Sequence, residues 1–176
     1  MKKTVTLMIF LSLVLIASAA LAQTEYTYPA NAPVLSVTFP EGWKVELDQE
    51  DLKGVSAIST DETIALYIWP LAEQEVKDDA KAAIEAAAQD AGQDIAEWVT
   101  DVKFNEPQTV EINGITFLDI TGAGKDVEDS SDVNVALTFF SPDNKAVFAM
   151  LYYGSPDAEK ANEKDLASIA QSIKKP

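Results

Sequence analysis

Four carboxylates stand close together at Asp126, Glu128, Asp129 and Asp132, directly after Gly122-Ala123-Gly124-Lys125, and a fifth, Asp119, precedes them by a few residues. Clustered carboxylate oxygens suit a hard divalent cation such as calcium, so one reading of the stretch 122–132 is a cation-binding loop. The register of a calcium loop, with its glycine turn and distal glutamate, is missing. The plainer reading is a solvated loop, because acidic runs arise easily in a chain with 29 Asp and Glu. The glycines and Lys125 also invite a phosphate-loop reading. That spacing fails, since a Walker loop needs Gly at the position of Asp119 and Ser or Thr at that of Asp126. Asp119 shares strand parity with Ile115 and Phe117 and is expected to point inward, where a carboxylate needs a lysine, a backbone N–H or water. Ser172 and Lys175 have S-x-x-K spacing but fall in a terminal turn. Tyr67, Trp69, Trp98, Tyr152 and Tyr153 are candidates to line a groove for a sugar or peptide, although aromatics at such periodicity usually pack a core.

The residue types that are missing narrow the chemistry further. The chain has no cysteine and no histidine, and all 13 of its basic residues are lysines. Disulfides, the usual zinc sites and every Ser-His or Cys-His nucleophile pair are therefore excluded. Without arginine there is no planar fork for carboxylate or phosphate. A hydrolase would have to rest on two inward carboxylates in one cleft, roughly 5–10 Å apart. The sequence itself assigns no catalytic residue, no cofactor-binding residue and no metal ligand.

Met1-Lys2-Lys3 followed by the apolar run Val5 to Ile16 and by Ser18-Ala19-Ala20-Leu21-Ala22 has the form of a secretory signal peptide over residues 1–22. Gln23 follows the expected cut, where a lipid anchor would need cysteine, so the expectation is a periplasmic or secreted protein without a membrane anchor. The remainder, about 150 residues, fits one domain with a core of its own. Its formal charge, −16 for the whole chain and two units more negative without Lys2 and Lys3, opposes binding to nucleic acid or anionic lipid.

The elements that must position these residues are legible in pattern. Residues 23–33 contain two prolines and read as an exposed, extended lead-in with room for a brief extended piece at Glu25–Tyr28, with the domain spanning 34–176. Val34–Phe39 and Trp43–Leu47 are strand candidates joined as a hairpin at Pro40-Glu41-Gly42. Strands are also expected at Gly54–Ser59 and Thr63–Trp69, the second with Ile64, Leu66 and Ile68 on one face and Tyr67 and Trp69 on the other. A helix follows from Glu73 to about Trp98, with an apolar stripe at Ala80, Ile84, Ala87, Ala91, Ile95 and Trp98; Gly92 is a candidate break, and that boundary stays open at this point. Asn113-Gly114 marks a hairpin between Thr109–Ile112 and Ile115–Thr121. Gly122–Ser131 then reads as a polar loop. Asp132–Phe140 and Lys145–Tyr153, joined at Ser141-Pro142-Asp143-Asn144, are expected at the centre of the sheet. Ser155-Pro156 opens one last helix, over about 157–173. The sum is an α+β fold: an antiparallel sheet of about six or seven strands flanked by helices.

The segment Val37-Thr38-Phe39-Pro40-Glu41-Gly42-Trp43-Lys44-Val45, the helix after a long strand, the Asn113-Gly114 hairpin and the final strand pair with its closing helix resemble the Mog1/PsbP-like fold. That fold is an α/β/α sandwich found in exported bacterial proteins and photosystem II extrinsic subunits. The resemblance covers most of Val34–Lys175 and implies an accessory or binding role. It carries over no functional residue, because the F-P-x-G-W segment is a packed turn without chemistry. The expectation is an exported, soluble, non-catalytic protein that binds an unknown protein or small ligand through a groove or face beside the sheet. A divalent-cation binder and a carboxylate hydrolase are the alternatives.

Overall fold

The computed structural model describes residues 23–47 and 54–176; the expected leader and the polar stretch 48–53 lie outside the described residues. Five strands come first: β1 (Thr24–Tyr28), β2 (Leu35–Phe39), β3 (Lys44–Leu47), β4 (Val55–Ile58) and β5 (Ile64–Pro70). The long helix α1 (Glu73–Trp98) leads into β6 (Val99–Phe104), β7 (Gln108–Ile112), β8 (Ile115–Asp126), β9 (Asp132–Phe140) and β10 (Phe148–Gly154). Two short helices, α2 (Pro156–Ala161) and α3 (Glu163–Ser172), close the chain.

The main sheet is antiparallel with eight strands, in the order β3-β4-β5-β10-β9-β8-β6, and β7 also pairs with β8. The expected α+β architecture is present, and the β9–β10 pair lies inside the sheet, flanked by β5 and β8. Its loop is longer than expected: Asn144 takes the left-handed conformation at φ 59°, and Asp143 accepts from the N–H groups of Lys145 and Ala146, so β10 starts only at Phe148.

Strand alternation makes two cores, one on each side of the sheet. On one side Ile64, Leu66, Ile68, Phe117, Phe140 and Phe148 pack against the β1–β2 pair and against Ala158, Ile169 and Ile173 of the C-terminal segment. On the other, Val133, Val135 and Leu151 meet Ile95 and Val99, while Leu137, Phe139 and Ala149 meet Ala91. Each fully buried Phe, Leu or Ile contributes about 1.5–3 kcal/mol of transfer free energy.

Four sequence expectations are corrected. First, β2 and β3 are not a hairpin. β2 pairs with β1, and β3 with β4. The turn Pro40-Glu41-Gly42 carries the chain between sheets, with Gly42 at φ 85°. It is fixed by the buried Trp43, whose ring packs 6.5 Å from that of Phe39 and whose Nε1–H donates to Asp165 at 3.1 Å. Second, the extended piece in the lead-in is not simply exposed: as β1 it pairs with β2 along its whole length and buries Tyr26.

Third, α1 runs through Gly92 and breaks instead at Asp79 (φ −157°, ψ 96°). The Asp79 carboxylate accepts from the N–H groups of Lys81 and Ala82, both at 3.1 Å, and so caps the second segment. Ala91 and Ile95 are buried and Ile84 and Ala87 partly so, but Ala80, one residue past the break, and Trp98, the last helical residue, face solvent. Fourth, the last helix is two, divided at Asn162 (φ −101°, ψ 11°). The start is as read from the sequence: Ser155 Oγ accepts from Ala158 N–H at 3.1 Å and Pro156 opens the first turn.

Candidate functional site

Gly122-Ala123-Gly124-Lys125 is not a loop; β8 extends through it to Asp126. The glycines are needed because β6 approaches closely. A Cβ on Gly122 would lie 2.8 Å from the Phe104 ring, and one on Gly124 only 2.5 Å from Val99 Cγ1 and 2.7 Å from the Thr100 carbonyl oxygen. The composition that suggests a phosphate cradle is thus a strand-packing device.

Of the acidic residues beyond it, Asp126, Asp129 and Asp132 are engaged with the chain itself. Asp126 accepts from the Tyr153 hydroxyl on one oxygen and from the N–H groups of Glu128 (2.7 Å) and Asp129 (3.3 Å) on the other. The Tyr153 hydrogen bond is the largest of the causes that hold the Asp126 carboxyl below the usual range. Burial, reinforced by Asp126, pushes the Tyr153 phenol up, so the pair is a carboxylate and a neutral phenol at neutral pH. Asp129 accepts from Ser131 N–H at 2.8 Å, and Asp132 pairs with Lys125 at 2.7 Å. Among the described residues no group of three or more Asp and Glu is arranged to hold a metal ion.

Asp119 does turn toward the side of the sheet that carries Ile115 and Phe117, and its partner is Thr138, whose hydroxyl donates across the β8–β9 pair at 2.7 Å. Ser172 is a tie between α3 and β2: its oxygen accepts from Thr38 N–H at 2.8 Å. The Ser172 hydroxyl in turn donates to the Ile169 carbonyl oxygen at 2.7 Å. Among the described residues five carboxyls have resolved shifts, at Asp61, Glu62, Glu73, Asp126 and Asp143, and all five go down.

The aromatic residues behave differently. Tyr152 lies on the inner face with the first core, whereas Tyr67, Trp69 and Tyr153 project from the other face beside α1. α1 packs on β6 and β9, and the same face of β4 and β5 stays open, with Ile58 40% exposed and Ala65 in solvent. The result is a groove of about 1970 Å³ between α1 and the sheet. Tyr67 and Trp69, with ring centroids 5.3 Å apart, form its floor, and Ala83, Ala87 and Ala91 form its helical wall. Among the described residues its rim is acidic: Glu73, Glu75, Asp78, Asp79, Asp90, Asp94 and Asp143 line it, with Lys77 and Lys145 of opposite sign. Lys77 is already paired with Glu73 at 2.5 Å. At one end Trp98, 49% exposed, stands beside Tyr153 and Val127 around a smaller pocket of about 440 Å³.

Four of the five aromatics singled out in the sequence thus line the groove, and of the carboxylate stretch Asp126 and Glu128 line the smaller pocket at its end. The acidic rim was not singled out. Its only trace in the sequence is the recurrence of Asp78, Asp90 and Asp94 beside the alanine stripe of α1.

No family model and no curated protein matches the sequence. Solved structures do. The cyanobacterial PsbP (CyanoP) of Synechocystis sp. superposes with a TM-score of 0.56 at 10% identity, over 91% of this chain and 96% of that one. LpqN of Mycobacterium tuberculosis, described as involved in cell envelope biogenesis, gives 0.53 at 11% identity, over 88% and 91%. The Ran-binding protein Mog1p of Saccharomyces cerevisiae gives 0.52 at 8% identity, over 88% and 95%. At these identities the likeness is one of fold, and the fold of this chain is the Mog1/PsbP-like fold.

Proposed function

We propose that this chain is an exported, non-catalytic binding or accessory protein of one α/β domain, and that it works through the groove between α1 and the β4–β5 side of the sheet. The observation that carries the reading is the aromatic floor: Tyr67 and Trp69 lie on the same face as the α1 core, are only partly buried against it, and among the described residues line the groove. Concave, mostly apolar sites with a few polar groups are where ligands and peptides bind. Two further points support it. The chain has no histidine, cysteine or arginine for the commoner catalytic arrangements, and one structural neighbour is a Ran-binding protein. Export rests on the leader-like residues 1–22. Among the described residues no helix is long and apolar enough to cross a membrane.

The test is to obstruct the groove without touching the core. Ala65 is exposed, lies on β5 and lines the groove. Immobilised wild type and Ala65→Arg, with matched thermal melts, are compared for retention of proteins or ligands from a periplasmic extract. The expected result is a retained species that Ala65→Arg loses. Equal retention by both, or retention of nothing by wild type, contradicts the proposal.

A further inference from the structure

We infer that the Trp98 end of the groove receives the cationic side chain of a lysine or arginine carried by an extended segment of a partner protein. This rests on the groove being the binding surface and goes beyond it by naming what is bound. The pocket there is lined by Ala65, Glu97, Trp98, Asp126, Val127, Glu128 and Tyr153. Its charged side chains are all carboxylates, beside a phenol and an indole, and none is a lysine.

Each member has an identifiable part. Asp126 and Tyr153 are bonded to each other, so they form a rigid wall. Trp98 ends α1, and its carbonyl accepts from Val127 N–H at 2.9 Å, which fastens the helix end to the loop that supplies Val127 and Glu128. That leaves an indole and a valine side by side, each 49% exposed. The carboxylates of Glu97 and Glu128 are also exposed and enter no hydrogen bond or ion pair among the described residues. An aliphatic stem covering apolar surface and ending in a cation suits this set, because cations bind over indole faces and beside carboxylates. A neutral apolar group would cover Trp98 and Val127 but leave the two carboxylates without a partner. An anion would meet only like charge.

The rest of the groove favours a chain segment over a lone amine. It continues from this pocket past Ala65, Tyr67 and Trp69 toward Lys145, far larger than one side chain requires, and its seven rim carboxylates repeat the same sign preference. Alternating apolar and cationic side chains on an extended segment match an aromatic floor with an acidic rim.

The experiment uses three synthetic tryptophan-free decapeptides of alternating leucine with lysine, glutamine or glutamate, titrated against the chain at 0.15 M salt by calorimetry and tryptophan fluorescence. The lysine peptide is expected to bind tightest and the glutamate peptide weakest. Trp98→Ala should weaken the lysine peptide roughly threefold to fivefold and leave the glutamine peptide nearly unchanged. Glu97→Gln with Glu128→Gln should weaken it at least as much, whereas Glu106→Gln with Glu111→Gln, which removes the same charge on β7 and the turn before it, should not. Because these positions are all exposed, the melting temperature of each variant should stay near that of wild type.

Equal binding of the lysine and glutamine peptides overturns the inference and leaves the groove reading standing. So does an equal effect of the two charge-neutralised variants, or an equal effect of Trp98→Ala on both peptides. Saturation by lysine amide alone at the peptide's concentration overturns the assignment to a protein segment. Failure of all three peptides to bind overturns both readings.

Discussion

Replacing Gly124 with alanine asks whether the glycines before the acidic stretch pack strands or cradle a ligand. The added Cβ would sit 2.5 Å from Val99 Cγ1, 2.7 Å from the Thr100 carbonyl oxygen and 3.3 Å from Val102 Cα. Two of these contacts are with backbone atoms, so rotating one side chain cannot relieve them, and β6 has to move away from β8. Overpacking of this kind costs about 1–3 kcal/mol. For a chain of this size each kcal/mol lowers the melting temperature by about 2–4 °C. Gly92→Ala provides the opposite sign in the same protein. Nothing lies within 4 Å of the Cβ that would be added there, and the position is interior to α1. Alanine should therefore stabilise it by about 0.5–1 kcal/mol through helix propensity and a less flexible unfolded chain. Urea melts of wild type and the two variants decide the matter. The reasoning is refuted if Gly124→Ala is neutral or stabilising, or if Gly92→Ala destabilises.

Three other outcomes follow from the packing, capping and turn chemistry. Ile169→Ala should lose about 2–5 kcal/mol by chemical denaturation, because Ile169 is 1% exposed where α3 meets the first core. Ser155→Ala should lose about 1 kcal/mol through the missing cap on Ala158 N–H, and Ser155→Asp should retain most of it. Asp61 accepts from the hydroxyls of Ser59 and Thr63, which hold its folded-state carboxyl below the usual range. A lowered carboxyl contributes stability that is present above its unfolded value, near 3.8, and is lost as pH falls toward the folded one. Melts from pH 6 to pH 2 should therefore fall more steeply for wild type than for Asp61→Asn.

The parts of the fold legible in the sequence are those with a local cause. Asn113-Gly114 turns β7 into β8 with both residues at positive φ, 54° and 75°. Ser155-Pro156 caps and opens α2, and the alternation in Ile64–Trp69 assigns its two faces correctly. The failures share a distant cause. Pro40-Glu41-Gly42 looks like a hairpin turn, but Trp43 is drawn to Asp165, 122 residues away, and the chain changes sheets there. Gly122 and Gly124 look like loop residues until β6 is known to lie against them. Gly92 looks like a helix breaker, yet the break falls at Asp79, whose carboxylate can cap a new start while Gly92 meets no competing contact.

The candidate site divides the same way. Tyr67, Trp69, Trp98, Tyr152 and Tyr153 stand out as aromatic candidates for a groove, although their periodicity favours a core, which is where Tyr152 lies. Whether the face of Tyr67 and Trp69 is covered depends on where α1 lies, over β6 and β9 rather than over β4 and β5, which no local pattern encodes. The carboxylates drew attention through their density. The structure assigns Asp126 to a turn and to Tyr153, and Asp132 to Lys125, all contacts within the chain itself.

Amide hydrogen exchange of the chain with and without the lysine–leucine decapeptide at saturation tests the central claim most directly. The groove account predicts added protection in residues 55–70 and 83–98, the two sides of the groove, with the β6–β7 edge and α2–α3 unchanged. Protection confined to residues 99–112 or 156–172, or no change anywhere at saturation, would contradict it.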